Sequence, residues 1–283
     1  MIQMNKVVII GVIYNSYVEV FRFLESIDHC FGHEVKVFLV DNSENQPDSL
    51  FFEKIQGIDF ITYIKSETNL GYFHGADFGL KYLLERNPVY PPWVIVCNVD
   101  IIFETPFLPE KLALYENIPD LGVIAPAILS GQWGADLNPF LISAIPLKKL
   151  HFYRVIYSNV LLQNGYVLLH YLKRIVKMSF HLKTGHKKTN LDIPEKIYAP
   201  HGSCIILNRR YFERGGTLDH ISFLFGEEIF VGETAKQLGL NVQYVSEIQV
   251  RHYEHSSIGH FISGKINKFY RQSIEDIIAS YYK

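Results

Sequence analysis

The sequence predicts an α/β fold built on a mostly parallel, doubly wound sheet, and three observations predict it. Over the first hundred residues, short apolar runs alternate with segments of helical period. The runs are apolar almost throughout, as in strands covered on both faces. Where they end, polar clusters recur: Asp41-Asn42-Ser43, Asn69-Leu70-Gly71, Asn98-Val99-Asp100, His201-Gly202-Ser203, Glu227-Glu228 and Val250-Arg251-His252. An open α/β sheet offers its strand ends to ligands, so acids, glycines and a histidine repeated there imply one assembled site.

Taken in order, residues 7–13 form the first buried strand. Ser16 then offers an N-cap with Glu19 three positions on, and Val20, Phe23, Leu24 and Ile27 recur with helical spacing. Residues 35–40 make a second strand stopping at Asp41, and residues 60–64 a third. A helix around Leu80, Leu83 and Leu84 leads to the strand at residues 93–97. Residues 121–125, 204–207 and 242–245 read as later strands, and a helix over residues 227–238 is ended by Gly239. There is no internal repeat or low-complexity tract.

With 283 residues, 48% of them apolar, the chain can bury a large core. It is expected to form a single domain spanning residues 1–283. The formal net charge of −2 argues against general nucleic-acid binding. Cys30, Cys97 and Cys204 are far apart in apolar sequence, which fits buried thiols in a reducing compartment better than disulfides or a thiolate metal site. The first apolar run is too short for a signal peptide or membrane span, so a cytoplasmic protein is expected, with peripheral membrane contact open to it.

Residues 138–191 differ in kind. They contain Lys148, Lys149, Arg154, Lys173, Arg174, Lys177, Lys183, Lys187 and Lys188 and no Asp or Glu. Leucines and valines interleave with these bases. That pattern suits a helical insertion lying on anionic lipid headgroups or along an acidic partner, and equally one whose basic face is simply solvated. Residues 261–283 read as a C-terminal helical tail.

In Asn98-Val99-Asp100, two oxygen-bearing side chains two residues apart project the same way from extended backbone and can face a divalent cation carrying a diphosphate; magnesium or manganese suits them. Asp41 offers a carboxylate to a pyrimidine imide, or closes an Asx-turn with Asn42 and Ser43. Asn69-Leu70-Gly71, with Gly75 beyond it, precedes a helix, where free amides favour anions and glycines permit close backbone approach. It lacks the third glycine of a dinucleotide fingerprint.

Together these stretches resemble the inverting GT-A glycosyltransferases of the large family that includes bacterial rhamnosyltransferases (glycosyltransferase family 2-like). The likeness spans roughly residues 5–130 and 198–260. It is carried by Val12-Ile13-Tyr14-Asn15, Val40-Asp41-Asn42-Ser43, Asn69-Leu70-Gly71 with Gly75, Asn98-Val99-Asp100, and the block from Gly202 through Gly215-Gly216, Leu218-Asp219 and Phe225-Gly226-Glu227-Glu228 to His252. The resemblance implies the GT-A, or nucleotide-diphospho-sugar transferase, fold. It implies a nucleotide-sugar site at Val12, Tyr14, Asp41, Asn69, Gly71, Gly75, Asn98 and Asp100, and a divalent cation, Mn or Mg, at Asp100 and His252. Glu228, or its neighbour Glu227, would activate the acceptor, with Gly202, Ser203 and Asp219 on the acceptor side.

Two positions depart from the family pattern. Asn98 stands where relatives carry the first Asp of a DxD-like metal motif, and Glu228 is followed by Ile229-Phe230 rather than by an Asp two positions on. The activity expected is inverting transfer of a sugar from a UDP- or dTDP-linked donor to a glycan or polyprenyl-linked glycan, as in bacterial surface polysaccharide biosynthesis. A catalytically degenerate nucleotide- or glycan-binding protein of the same fold is the alternative. A nucleotidyltransferase would need an early glycine- and base-rich triphosphate loop, which Val12-Ile13-Tyr14-Asn15 does not supply.

Overall fold

The computed structural model describes residues 6–32, 34–132, 134–184, 194–253 and 262–282. Residues 185–191 of the basic insertion, with Lys187 and Lys188, and residues 261 and 283 of the tail lie outside the described residues.

The alternation read in the sequence is realised. Strand β1 (Val7–Ile13) is buried along its whole length, and helix α1 (Tyr17–Phe31) follows with Val20, Phe23, Leu24 and Ile27 inward. Ser16 takes the N-cap position, but its hydroxyl donates to the Tyr14 carbonyl (3.2 Å) and caps no helical amide. Strand β2 (Val35–Asp41) runs one residue further than expected, so Asp41 still pairs with Ile13. Helix α2 (Ser49–Ile55), strand β3 (Ile61–Lys65), helix α3 (Tyr72–Arg86) and strand β4 (Trp93–Asn98) complete the first half.

The second half holds β5 (Ile101–Phe103), α4 (Leu108–Ala113), β6 (Leu121–Ser130), α5 (Leu147–Tyr157), α6 (Val160–Thr184), β7 (Lys196–Ile197) and β8 (Cys204–Asn208). After these come α7 (Arg209–Glu213), α8 (Glu227–Gln237), β9 (Asn241–His252) and α9 (Gly264–Tyr281). Among the described residues the strands form one nine-stranded sheet in the order β3-β2-β1-β4-β8-β6-β9-β5, with β7 also on β9.

From β3 through β4 the sheet is parallel. Strand β8 then enters antiparallel between β4 and β6, and β6 runs parallel to β9, giving a mixed second half. One face is filled by α1, with Phe23, Ile27 and Phe31 against Val37, Ile95 and Phe103; the other is filled by α3 and α8, with Phe73, Leu80 and Phe230 against Val8, Val94 and Ile205. Helices cover both faces, which explains why the strands carry no polar alternation. A third cluster of Ile145, Leu150, Ile229, Ile274 and Ile277 ties α5, α8 and α9 together and fixes the start of α8 over the strand ends. Cys30, Cys97 and Cys204 are free and buried, and burial raises each thiol's pKa, which keeps it protonated. No helix among the described residues is long and apolar enough to cross a membrane.

Candidate active site

The strand ends open onto a cavity of about 420 Å³. Val12 and Tyr14 from the end of β1, Asn42 after β2, Asn69 and Gly71 before α3, and Asn98 at the end of β4 line its floor. Its far wall is Phe223 and Leu224 from the loop before α8, with Lys265, Ile266 and Phe269 of α9. The Phe223 and Phe269 rings pack at 5.0 Å, so the tail is part of the pocket wall. Nothing in the local pattern of residues 261–283 signalled that.

Gly71 is required by the geometry. Its φ of +81° favours glycine, and a Cβ there would clash with the Phe223 carbonyl oxygen. Asn69 Oδ1 accepts from the Gly71 amide (2.9 Å), and Asn42 Nδ2 donates to the Gly71 carbonyl (2.6 Å), locking the loop to the sheet. Gly75 serves the same junction, since a Cβ on it would lie 2.6 Å from Asn42 Nδ2.

Asp41 is wholly buried. Oδ1 accepts from the Ser43 amide (2.8 Å), which is the Asx-turn; Oδ2 accepts from Tyr17 (3.0 Å) and Tyr63 (2.6 Å) and lies 3.3 Å from Lys65 Nζ. A nucleobase contact at Asp41 would compete with these partners.

Asn98 and Asp100 do not stand side by side on one extended strand. Strand β4 ends at Asn98, Val99 turns into the core, and Asp100 lies in the turn before β5. Asn98 faces the large cavity, whereas Asp100 lines a separate one of about 250 Å³ with Arg22, Ile102 and Tyr253. Antiparallel pairing of β5 with β9 sets Ile101 opposite His252. It brings His252 Nε2 to 3.2 Å from Asp100 Oδ1. That oxygen and His252 Nδ1 are buried without a hydrogen-bond partner among the described residues. An orphaned carboxylate oxygen beside an imidazole suits a divalent cation. No three His, Cys, Asp or Glu among the described residues are placed to hold one, so oxygens of a bound diphosphate would have to complete its sphere.

Next to this pair lies His201, whose ring centroid is 6.2 Å from that of His252. Burial, and then His252, push its imidazole down to about 4, so it is neutral near pH 7. Its Nδ1 sits 3.0 Å from Ser203 Oγ. Gly202, between them, joins the two sides of the site: its amide donates to Glu228 Oε1 (3.3 Å), and its carbonyl accepts from Tyr72 (2.7 Å), which lines the large cavity. A Cβ on Gly202 would come within 2.9 Å of Glu228 Oε1. The sequence assigns neither Tyr72 nor His201 a role: His201 stands only within the His201-Gly202-Ser203 cluster, and Tyr72 follows Gly71 with no pattern of its own.

Glu227 and Glu228 open α8, with Gly226 at the N-cap (φ +85°). Glu227 is only 6% exposed and accepts from the Phe225 amide (3.0 Å). Burial, and then the neighbouring Glu228, push its carboxyl up to about 8. Glu228 is partly exposed, and desolvation raises its carboxyl as well. Asp219 is elsewhere: it pairs with His74 Nε2 (3.5 Å) on the surface and does not line either cavity described above.

No protein-family model matches the chain. It is 21% identical over 257 residues to the N-acetylglucosaminyl-diphospho-decaprenol L-rhamnosyltransferase of Mycobacterium tuberculosis, covering 89% of this chain and 77% of that protein. Three solved structures share the fold. GalNAc-T7 with UDP, GalNAc and Mn2+ has a TM-score of 0.59 at 13% identity over 90% of this chain and 45% of its own. The mannosyltransferase PcManGT of Pyrobaculum calidifontis, in complex with GDP-Man and Mn2+, has a TM-score of 0.50 at 13% identity, over 90% of this chain and 58% of its own. S. aureus TarS has a TM-score of 0.53 at 14% identity, over 88% of this chain and 36% of its own. The chain thus spans about a third to three fifths of the solved structures it matches. These likenesses identify it as a GT-A-fold protein resembling the glycosyltransferases that include the bacterial rhamnosyltransferases.

Proposed function

We propose that the chain is an inverting glycosyltransferase that moves a sugar from a UDP- or dTDP-linked donor to a glycan or lipid-diphosphate-linked glycan. One observation carries this reading. Gly202 holds Glu228 on its amide and Tyr72, a wall of the large cavity, on its carbonyl, one residue from the imidazole beside the Asp100–His252 pair. This linkage supports a carboxylate, a space for a nucleotide and a candidate cation site acting together at the ends of β4, β8 and β9.

In the reaction, Glu228 takes the proton of the acceptor hydroxyl as its oxygen bonds to the anomeric carbon. The bond from that carbon to the diphosphate breaks, and the nucleoside diphosphate leaves with the electron pair. A single displacement from the opposite side inverts the anomeric centre. Desolvation makes the Glu228 carboxylate a stronger base than a free one. Asp100 and His252 would hold a divalent cation, Mn or Mg, which when bound supplies positive charge to the departing diphosphate. Tyr14, Asn42, Asn69 and Asn98 line the space for the nucleotide, and Gly202 and Ser203 border the acceptor. Bacterial surface polysaccharide assembly at the cytoplasmic face is the setting in which such an acceptor is used, and the mycobacterial relative, named for a diphospho-decaprenol acceptor, supports it.

The test is release of nucleoside diphosphate with a panel of donors and lipid-linked acceptors, with the product anomer read by NMR. Glu228→Gln should cut turnover by about 10²–10⁴-fold. Undiminished turnover in that variant, or retained configuration, would reject the mechanism. Asn98, neutral where the related motif carries an acid, favours one second reading, a nucleotide-binding protein without turnover. Calorimetric binding of nucleoside diphosphate with no product from any donor would establish it.

A further inference from the structure

Helix α6 is amphipathic in the inverted sense. Gln163 is 2% exposed and accepts from Asn267 Nδ2 of α9 (2.6 Å). Asn164 exchanges hydrogen bonds with the backbone of Ile262, Nδ2 donating to its carbonyl (3.0 Å) and Oδ1 accepting from its amide (2.6 Å). Polar side chains thus fasten the helix to the body of the protein. Leu161, Leu162, Leu168, Leu169 and Leu172 recur at helical spacing on another side and are all exposed, from 49% at Leu168 to 76% at Leu161. Gly165 falls within the same stripe and is exposed too. A water-facing helix carries the reverse arrangement, and an exposed row of leucines marks a contact surface.

Charge decides what the surface contacts. Helices α5 and α6 present Lys148, Lys149, Arg154 and Lys173 to solvent, in a run of sequence from Asn138 to Leu191 that holds no Asp or Glu. Exposed leucines in a stretch whose charged residues are all bases, on helices unable to span a bilayer, match an interfacial helix on anionic lipid. We infer that the exposed leucine face of α6, with the bases of α5 and α6, docks the protein on the surface of an anionic membrane. This goes beyond the catalytic reading and does not depend on it, because docking needs neither donor nor acceptor.

The test is co-sedimentation of the full chain with phosphatidylcholine vesicles, with and without phosphatidylglycerol, at low and at physiological salt. The protein is expected to pellet with the anionic vesicles, more at low salt, and to stay in solution with the neutral ones. The triple substitution Leu161→Glu, Leu168→Glu, Leu172→Glu should abolish pelleting. A second variant, Lys148→Glu, Lys149→Glu, Arg154→Glu, alters only exposed bases. It should weaken partition by about 100-fold or more, at roughly five-fold for each base removed from an anionic surface. Equal recovery in the supernatant with and without phosphatidylglycerol overturns the inference. So does a wild-type dimer in light scattering that the leucine variant splits, which would assign the stripe to a second copy of the chain. Turnover of a water-soluble acceptor, measured on the same samples, fails only if the catalytic reading fails.

Discussion

Replacing Glu227 by Gln isolates the physical conflict at the start of α8. The native carboxyl is 6% exposed and rises from its ordinary 4.5 to about 8, first through burial and then through Glu228. A carboxyl whose folded pKa is raised contributes stability that is fully present below about pH 4.5 and is lost as pH climbs through about 8. At about 1.4 kcal/mol for each tenfold change in proton affinity, a rise of 3.5 corresponds to roughly 5 kcal/mol. That is a ceiling, since the charge on Glu228 accounts for part of the rise, and about 1–3 kcal/mol is the expected loss by pH 9. Glutamine is neutral at every pH and keeps an oxygen for the Phe225 amide. With an unfolding entropy of about 2.1 cal/mol/K per residue, the 283 residues give roughly 0.6 kcal/mol/K, so the variant should melt about 2–5 °C above wild type at pH 9. Thermal unfolding followed by circular dichroism from pH 5 to pH 9 measures it. Melting curves that shift in parallel for both proteins across that range would refute the buried, protonated Glu227.

Other substitutions probe separate parts of the site. Asp100→Ala should remove Mn2+ binding in titration calorimetry and lower turnover at least 10²-fold; unaltered Mn2+ affinity would place the cation elsewhere. Gly71→Ala should destabilise the fold by more than about 2 kcal/mol in urea titration, because a Cβ at φ +81° clashes with the Phe223 backbone carbonyl; an unchanged midpoint would contradict the loop geometry. Tyr63→Phe takes one of the donors from the fully buried Asp41 carboxylate and should cost about 1–3 kcal/mol at pH 7, read in the same titration.

The sequence revealed those parts of the fold whose patterns are local. Strands β1, β2 and β4 are uninterrupted apolar runs, and they are placed within a residue of expectation because nothing but a doubly covered strand suits them. Strand β6 extends to Ser130 because residues beyond Pro126 pair with the far end of β9 after a register shift, which a run of residues 121–125 cannot announce. In α6 the period gives an apolar stripe but not the side that meets the body; Gln163 and Asn164, satisfied by Asn267 and Ile262, decide it. Within the site, the meeting of Asp100 with His252 depends on the β5–β9 register, and that of Glu228 with Gly202 on where the cluster of Ile229, Ile274 and Ile277 seats α8. Asp41 illustrates the opposite case: its Asx-turn is local and was legible, whereas Tyr17, Tyr63 and Lys65 reach it from other elements.

The two carboxyls at the head of α8 draw their difference from the same three forces in different proportions. The helix dipole favours the charged form of both, and desolvation opposes it. Glu227 lies deeper and accepts from the Phe225 amide; Glu228 is more exposed and accepts from the Gly202 amide. Two like charges on adjacent residues at one buried helix end repel, so the first ionisation makes the second harder. Desolvation therefore raises both carboxyls, and Glu227, the less exposed of the two, rises further through its neighbour's charge. On the proposed mechanism a proton kept on Glu227 would leave Glu228 free to accept one from an acceptor hydroxyl, and the pair's burial would supply the basicity that an exposed glutamate lacks.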